Sequence, residues 1–333
     1  MIYLINKNTD PALNHGIEEY FMKETDEDVF SLWQNYKTIL VGKNQDIYAE
    51  INMDYTKDKG LTIVRRRSGG GTIYCDLNNM QYSFITKDDK NISGTESFKE
   101  FAKPVVEALK SLGLDAEFTG RNDIILEGKK ISGNAQYRKR GRIVHHGTLL
   151  YQTDTEMLKG ALYSRPIKFK NKAVKSVFAR VGEIKDYVDM DIKDFMDYVS
   201  SYMIDYYKID KVLDYEDLDD EVKEKIEEYA KPFRDKEWNI GKDHNQNHAS
   251  FSVKYPYGLV EYKLRTGDGK IESLYILGDY FEDEAVEKLA QGLIGVEVER
   301  DALEKALSSY EISDYIKGMN KETLIDDLLK TYK

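Results

Sequence analysis

The chain has 333 residues, of which 41% are hydrophobic and 33% charged, so it can form one large domain or two domains with a substantial core. No window approaches about 18 consecutive apolar residues, and the first residues lack the basic and then apolar pattern of a signal peptide. We therefore expect neither a membrane span nor a secretory leader. The single cysteine, Cys75, excludes an intrachain disulfide, and a cytoplasmic protein is the simplest expectation.

The net charge of −11 is distributed unevenly along the sequence. Residues 51–180 carry 24 basic and 14 acidic side chains, whereas residues 181–333 carry 21 basic and 37 acidic ones. A basic middle segment is typical either of scattered solvated lysines or of a cationic site for an anionic ligand or an acidic partner protein. Nucleic acid is not an expected partner, because the acidic remainder would repel it and no nucleic-acid-binding motif is present.

The N-terminal part of the sequence alternates short apolar runs with two helical patterns. Asp10 and Pro11 are typical of a helix start, and apolar residues at helical spacing predict a helix over 10–24. A second apolar stripe predicts a helix over 96–112, in which Pro104 is expected to cause a kink. Apolar runs predict short strands at 38–41, 61–64, 72–74, 82–85, 124–126 and 144–150. Short strands combined with long helices indicate an α+β fold.

The pattern changes from about Ile192. Helical spacing predicts a helix from there to Tyr206, and a charged helix follows over 219–229. The stretch 238–247, which contains Gly, Asn and His, is typical of a linker. Beyond it, the sequence predicts two strands joined by a Gly-Asp-Gly turn and then two helices, at 260–264, 273–277, 283–293 and 299–309. These elements indicate a second, small α/β domain.

The segment Arg65 to Tyr74, with the sequence RRRSGGGTIY, is a basic, glycine-rich turn between apolar runs. Backbone N–H groups freed by glycine, next to arginines, suit a phosphate or carboxylate. The segment is not a P-loop, because no Gly-Lys-Ser/Thr follows, and it is not a dinucleotide fingerprint, because a strand follows it. Taken alone, a glycine run is more often a simple turn than a binding site, and the three preceding arginines favour the binding site.

A second polar segment, Gly120-Arg121-Asn122-Asp123, precedes an apolar strand. Asn122 and Asp123 are consistent with a turn, with polar contacts to a nucleotide, or with an oxygen ligand for Mg²⁺. A hairpin at 127–129 follows, where Lys129 is expected to be exposed. Successive strand residues face opposite ways, so Lys130 is expected to point inward.

Two further residue types invite a chemical interpretation. Adjacent histidines on a strand point apart, so His145 and His146 are not expected to share a metal ion, and no matching ligand set stands out. Cys75 lacks the partners of a catalytic nucleophile, so a small buried apolar residue is the favoured interpretation.

Taken together and in order, these motifs resemble the lipoate–protein ligase A family. Further resemblance comes from Trp33-Gln34-Asn35, Gly42-Lys43-Asn44-Gln45, Lys175-Ser176-Val177, Arg180-Val181, Trp238 to Lys242, Tyr255 to Gly258 and Leu293 to Val296, so the likeness spans nearly the whole chain. It implies a fold like that of biotin protein ligases, with a mixed-sheet catalytic domain at 1–243 and a small C-terminal accessory domain at 244–333. In the family the C-terminal domain moves between the two half-reactions, and we expect a hinge near Lys242 to Gln246.

The resemblance implies two half-reactions. Lipoate and MgATP give lipoyl-adenylate and pyrophosphate, and a lysine of a lipoyl carrier domain then attacks the adenylate and releases AMP. It assigns ATP contacts to Arg66, Gly71, Thr72, Ile73, Tyr74 and Lys130. It assigns lipoate or acyl-adenylate contacts to Ser68, Gly69, Gly70, Asn122, Asp123 and Lys130, with Lys130 catalytic and Asp123 a candidate magnesium ligand.

The expected carriers are a glycine-cleavage H protein or the E2 subunits of 2-oxoacid dehydrogenases, and the expected state is a monomer. The sequence does not choose between these carriers, or between lipoate, octanoate and lipoamide as substrate, although octanoate is expected to be accepted more weakly. Family members often have His where this chain has Cys75, which leaves the role of that position open.

Two rival functions remain at this stage. One is an ATP-independent octanoyl or lipoyl acyltransferase of the same fold, for which Cys75 is the available thiol. The other is a non-catalytic protein that binds lipoyl domains through its basic middle segment.

Overall fold

A computed structural model describes residues 1–88, 92, 94–162, 181–241 and 248–332. The predicted hinge, the domain boundary at 243/244 and the segment Lys175-Ser176-Val177 lie outside the described residues. None of the helices in the described part has the length and apolarity that a bilayer crossing demands.

The described residues form fourteen strands. Their bounds are β1 Ile2–Ile5, β2 Val29–Trp33, β3 Thr38–Val41, β4 Thr62–Arg65, β5 Ile73–Cys75, β6 Met80–Lys87, β7 Ala116–Thr119, β8 Asp123–Leu126, β9 Lys129–Lys139, β10 Arg142–Leu149, β11 Lys211–Asp214, β12 Ala249–Tyr255, β13 Gly258–Gly267 and β14 Lys270–Gly278. Most predicted strands are therefore present within a residue or two of their expected ends.

The described residues also form twelve α-helices. Their bounds are α1 Pro11–Lys23, α2 Ile47–Glu50, α3 Met53–Asp58, α4 Gly94–Ser111, α5 Thr155–Ala161, α6 Ile192–Tyr207, α7 Asp220–Arg234, α8 Lys236–Asn239, α9 Val286–Gly292, α10 Arg300–Ala306, α11 Ile312–Tyr315 and α12 Lys321–Tyr332. As predicted, α1 is capped by Asp10, whose side chain accepts from the Ala12 N–H at 2.9 Å, and it begins with Pro11. Helix α4 continues through Pro104.

The N-terminal unit is built on a mixed eight-stranded sheet with the order β11-β1-β2-β6-β10-β9-β8-β7. Strand β1 runs parallel to both of its neighbours, and the remaining pairs are antiparallel. One face packs on an apolar cluster that includes residues of α4 and α6, and the opposite face packs on α1 and α7. A small sheet, β4-β3-β5, carries the glycine-rich segment between β4 and β5.

The C-terminal unit has its own core. Strands β12, β13 and β14 form an antiparallel meander, and their apolar side chains pack with helices α9 to α12 in a separate buried cluster. The predicted linker is partly wrong, because Trp238 belongs to the N-terminal unit. Its indole N–H donates to the Arg65 carbonyl at 2.7 Å, and Arg65 Nε donates to the Trp238 carbonyl at 3.1 Å.

Candidate active site

A cavity of about 140 Å³ lies between the glycine-rich segment and the α1 face of the large sheet. Its walls come from α1, from strands β2, β3, β5, β6, β9 and β10, from the glycine-rich segment and from the loop before β8. The lining residues are His15, Trp33, Leu40, Arg66, Gly70, Gly71, Thr72, Ile73, Gln81, Asn122, Lys130, Gly133, Asn134, Ala135, His146, Gly147 and Thr148.

Lys130 reaches this cavity because the β8–β9 hairpin is irregular. The register shifts between Ile124 and Ile125, which leaves Ile131 as an extra residue on β9, a β-bulge. Ile131 is buried, and the Lys130 side chain lies against Gly133 on the cavity side. A Cβ at position 133 would come within 3.0 Å of the Lys130 Nζ. Glycine at 133 therefore leaves space for the amine.

The Lys130 amine lies at the mouth of the cavity, paired with an acid. Its Nζ is 2.7 Å from Asp123 Oδ1, and the two side chains are 38% and 35% exposed. An ion pair with this exposure contributes little stability, so an anionic ligand can compete with Asp123 for the amine. Lys129, the preceding residue, is exposed and does not line the cavity.

Arg66 holds the glycine-rich segment from inside the protein. Its guanidinium donates to the carbonyls of Leu40, Gly69 and Gly71 at 3.2, 2.7 and 2.9 Å, and its Nε donates to Ser68 Oγ at 3.0 Å. Burial lowers the pKa of Arg66 to about 10, so the group stays charged at neutral pH. Most of its N–H groups serve the loop, while its positive charge faces the cavity.

A chain of buried hydrogen bonds connects the glycine-rich segment to helix α1. Ser68 Oγ lies 2.7 Å from His146 Nε2, and His146 Nδ1 lies 2.9 Å from Glu18 Oε1. A carboxylate only accepts, so Nδ1–H donates to Glu18 and Nε2 accepts from the Ser68 hydroxyl. Burial lowers the pKa of His146, so its ring is neutral at neutral pH.

The Glu18 carboxylate has three donors. Besides His146, it accepts from His15 Nδ1 at 2.7 Å and from Ser83 Oγ at 2.6 Å. Burial opposes ionisation, yet the adjacent His146 and His15 rings hold the pKa of Glu18 well below its usual range. Within the described residues, His15, Glu18 and His146 are the one group with the spacing of a metal site. A metal ion there would have to displace hydrogen bonds that the carboxylate already makes.

The two adjacent histidines point apart, as predicted. His145 lies on the opposite face of the sheet, with its ring 5.0 Å from that of Phe101 and its Nε2 3.0 Å from Asn134 Oδ1. Asn134 in turn fixes Asn122 through a reciprocal pair, in which each amide nitrogen donates to the other residue's carbonyl at 2.6 and 3.0 Å. This pair holds the loop before β8 against β9.

The structure brings most of the predicted site residues to one place. The cavity wall contains Arg66, Gly70, Gly71, Thr72, Ile73, Asn122 and Lys130. Ser68 lies behind the wall, where its hydroxyl bonds to His146. Asp123 lies at the mouth, where it pairs with Lys130. Tyr74 lies outside the wall, because its ring packs in an apolar cluster with Ile39 and Ile51.

Sequence reasoning missed His15, Trp33, Gln81 and His146 as cavity residues. Trp33 belongs to a segment that resembles the ligase family, but the sequence assigned it no role. His146 was considered only as a metal ligand. His15 lies on α1, far from the glycine-rich segment in sequence. The pairing of β2, β6 and β10 brings three of these positions together, and no local pattern in the sequence reveals that pairing.

Cys75 is fully buried among Ala12, Leu40, Val64 and Phe233. Burial raises the pKa of its thiol to about 12. A nucleophilic cysteine needs an accessible thiolate, so this thiol is unsuited to carrying an acyl group. The predicted role of a small buried apolar residue is confirmed, and the acyltransferase alternative loses its candidate nucleophile.

Residues 280–282 of the C-terminal unit lie directly on the glycine-rich segment. The Gly70 N–H donates to the Tyr280 carbonyl at 3.3 Å, and a Cβ at Gly69 would come within 2.2 Å of the same oxygen. Glu282 accepts hydrogen bonds from Lys43 and Asn44, two residues that follow β3. Gly69 therefore serves the contact between the two units.

Models of two protein domains match the sequence in the order of the two units. The lipoyl protein ligase A/B catalytic domain matches residues 10–204, and the bacterial lipoate protein ligase C-terminus matches residues 246–328. The chain belongs to the lipoyl protein ligase A/B family. The sequence is 36% identical to that of lipoate-protein ligase LplJ from Bacillus subtilis over 334 aligned positions. The alignment covers 98% of this chain and 99% of LplJ.

Solved structures of lipoate ligases share the fold. P. falciparum LipL1 in complex with lipoate has a TM-score of 0.79 at 19% identity and covers 99% of this chain and 98% of its own. The bipartite lipoate protein ligase of Thermoplasma acidophilum, studied with its E2 lipoyl domain, has a TM-score of 0.64 at 27% identity and covers 72% of this chain and 95% of its own. The predicted α+β class, with a large mixed-sheet unit and a second C-terminal unit, is confirmed.

Proposed function

We propose that this protein is an ATP-dependent, AMP-forming lipoate–protein ligase that attaches lipoate to a lysine of a lipoyl carrier domain. The observation that carries the proposal is the Lys130 amine at the mouth of a cavity closed by the glycine-rich segment. Membership of the family and the full-length similarity to LplJ support it.

In the first half-reaction, a carboxylate oxygen attacks the α-phosphorus of ATP and pyrophosphate leaves. The two anions repel each other unless positive charge lies between them. Lys130 is the partly exposed cation of the cavity wall, and its amine is suited to bridge the carboxylate and the α-phosphate. Arg66 adds a second, buried charge below the loop. A preorganised donor at such a position contributes about 3 kcal/mol of transition-state stabilisation.

In the second half-reaction, the amine of a carrier lysine attacks the acyl carbon, the bond from that carbon to the phosphate oxygen breaks, and AMP leaves. Negative charge then develops on the acyl oxygen, and the Lys130 amine in the cavity wall is suited to offset it. We assign Gly71, Thr72, Ile73 and Arg66 to the nucleotide side of the cavity.

On the acyl side of the cavity we assign Gly70 and Asn122. Ser68, Gly69 and Tyr74 act from behind the wall by fixing the loop.

Magnesium would accompany the nucleotide. The Asp123 carboxylate and the Asn122 side chain are oxygen donors near the cavity mouth, and Mg²⁺ in nucleotide sites is usually held by one or two carboxylates together with phosphates. These residues fit that pattern, and the ion would offset phosphate charge. Asp123 would then give up its ion pair with Lys130 and bind the metal ion instead.

The carrier and the molecular organisation complete the proposal. A lipoyl domain from a 2-oxoacid dehydrogenase E2 subunit or a glycine-cleavage H protein is the acceptor, and the similar Thermoplasma ligase was studied with its E2 lipoyl domain. We propose a cytoplasmic monomer with a catalytic domain at 1–243 and an accessory domain at 244–333. The separate apolar core of β12 to β14 and α9 to α12 supports that division.

The decisive test is lipoate-dependent exchange between ATP and pyrophosphate in wild type, Lys130→Ala and Lys129→Ala. Lys129 is the matched control, because it is an exposed lysine on the same hairpin. We expect exchange in wild type and Lys129→Ala and a loss of roughly 100-fold or more in Lys130→Ala. No exchange in folded wild type with Mg²⁺ would refute the ligase proposal and favour the non-catalytic carrier-binding alternative.

A further inference from the structure

The cavity runs across the strands of the large sheet. Four cavity residues are neighbours in register along this direction: Gly133 on β9, Thr148 on β10, Gln81 on β6 and Trp33 on β2. Neighbouring strands lie about 4.8 Å apart, so Gln81 is about 10 Å from Gly133. The Lys130 amine packs against Gly133, which makes Gln81 part of the opposite end of the cavity.

This distance matches the length of a medium-chain acid. An extended chain advances about 1.2 Å per bond, so the seven bonds from C1 to C8 of an eight-carbon acid span about 8 Å. A carboxylate held at Lys130 would therefore place the far end of the chain beside Gln81. His15 lies at the same end, because its ring is 5.7 Å from that of Trp33.

The far end of the cavity carries buried polar atoms without partners. His15 Nε2 and both amide atoms of Gln81 have no hydrogen-bond partner among the described residues. Each residue is 2% exposed, and both line the cavity. A buried polar atom left unpaired is unfavourable, so a ligand group that pairs with these atoms gains affinity over one that does not.

Glu18 sets the hydrogen-bonding direction of His15. The carboxylate accepts from His15 Nδ1 at 2.7 Å, so in the neutral ring Nε2 is an acceptor. Gln81 adds an acceptor oxygen and a donor nitrogen. A hydroxyl or thiol both donates and accepts, and so it can pair with either residue. A methyl group can do neither.

We infer that His15 and Gln81 are specificity-determining residues, which select medium-chain acids with a hydroxyl or thiol at the far end over plain alkyl acids. The inference rests on the proposed function in taking the cavity as the acyl site. Its ligand class includes 8-hydroxyoctanoate and the dithiol form of lipoate.

The test measures binding of free acids without ATP, so it does not depend on adenylation. Calorimetry compares 8-hydroxyoctanoate with octanoate on full-length wild type, Gln81→Leu and the control Gln136→Leu, a buried glutamine outside this cavity. We expect wild type and Gln136→Leu to bind the hydroxy acid more tightly than octanoate. In Gln81→Leu the affinity ratio should shift about tenfold towards octanoate. His15→Leu should shift it in the same direction.

Each result is decisive because the ratio is taken within one protein, which cancels a general loss of stability. An unchanged ratio in Gln81→Leu, binding of octanoate by wild type as tight as or tighter than that of the hydroxy acid, or binding of neither acid by wild type would overturn the inference. Absence of ATP–pyrophosphate exchange alongside the expected ratios would instead refute the ligase proposal and leave the specificity assignment standing.

Discussion

Lys129 and Lys130 are chemically identical neighbours with different environments. Lys129 is exposed, while Lys130 lines the cavity beside Asp123 and Gly133. Alternation along a strand predicts that one lysine of the pair points inward, and the sequence therefore indicated Lys130 correctly. The bulge at Ile131 and the missing side chain at 133 set where the amine ends, and neither feature is readable from the lysines themselves.

Glu18 gives the first prediction at this scale, which concerns stability and pH. The Glu18→Gln variant should be less stable than wild type by about 2 kcal/mol at pH 7, because each of two buried histidines donates to a different carboxylate oxygen and an amide offers only one acceptor oxygen. The folded pKa of Glu18 lies below the value of about 4.3 expected for the unfolded chain, so wild type loses this stability as the pH falls below about 5.

Urea unfolding of both proteins at pH 7, 5 and 4 tests this prediction. The lowered pKa of His146 acts in the same direction, because the unfolded state takes up that proton from about pH 6.5 downward. Burial, the main cause of that shift, acts in both proteins, whereas the Glu18 carboxylate titrates only in wild type, so the difference in stability between them should shrink between pH 5 and pH 4. A constant difference across the three pH values would contradict the assignment of an ionised Glu18.

At the scale of elements, the β9 strand positions the catalytic candidate. The Gly133→Ala variant puts a Cβ within 3.0 Å of Lys130 Nζ and 3.2 Å of its Cε. The flexible lysine can move aside, so we expect a small change in Tm but a loss of about tenfold in exchange activity. If the effect acts through the amine, Lys130→Ala/Gly133→Ala should be no less active than Lys130→Ala alone. Additive losses would place the role of Gly133 elsewhere.

Some elements were readable from the sequence because their signals are local. Helix α1 carries its cap at Asp10 and proline at its first position, and the β13–β14 hairpin carries alternation around a Gly-Asp-Gly turn. The edge strand β11 and its neighbour β1 are only four residues long, and their parallel pairing joins distant segments, so no local signal marks them. Helix α12 was missed although Leu324, Ile325 and Leu328 have helical spacing, because the prediction ended at 309.

At the scale of the whole molecule, polar contacts hold the two units together. Lys263, on β13 of the C-terminal unit, is 1% exposed and pairs with Asp46, the cap of α2 in the N-terminal unit. Glu282 pairs with Lys43 near the glycine-rich segment. Each unit has its own apolar core, so the cooperativity between the units depends on an interface in which buried charges are paired across the boundary.

The last prediction follows from that interface. Lys263→Met leaves the buried Asp46 carboxylate without its partner across the boundary, and breaking such a pair destabilises by about 3–5 kcal/mol. Both tryptophans, Trp33 and Trp238, lie in the N-terminal unit, so their fluorescence reports that unit while far-ultraviolet circular dichroism reports both. We expect urea unfolding curves from the two probes to coincide in wild type and to separate in Lys263→Met.

The control Lys288→Met removes an exposed lysine that pairs within the C-terminal unit, and its curves should coincide. Coincident curves in Lys263→Met would show that the apolar contacts around Phe281, which packs with Phe98 and Ala135, couple the units without the ion pair.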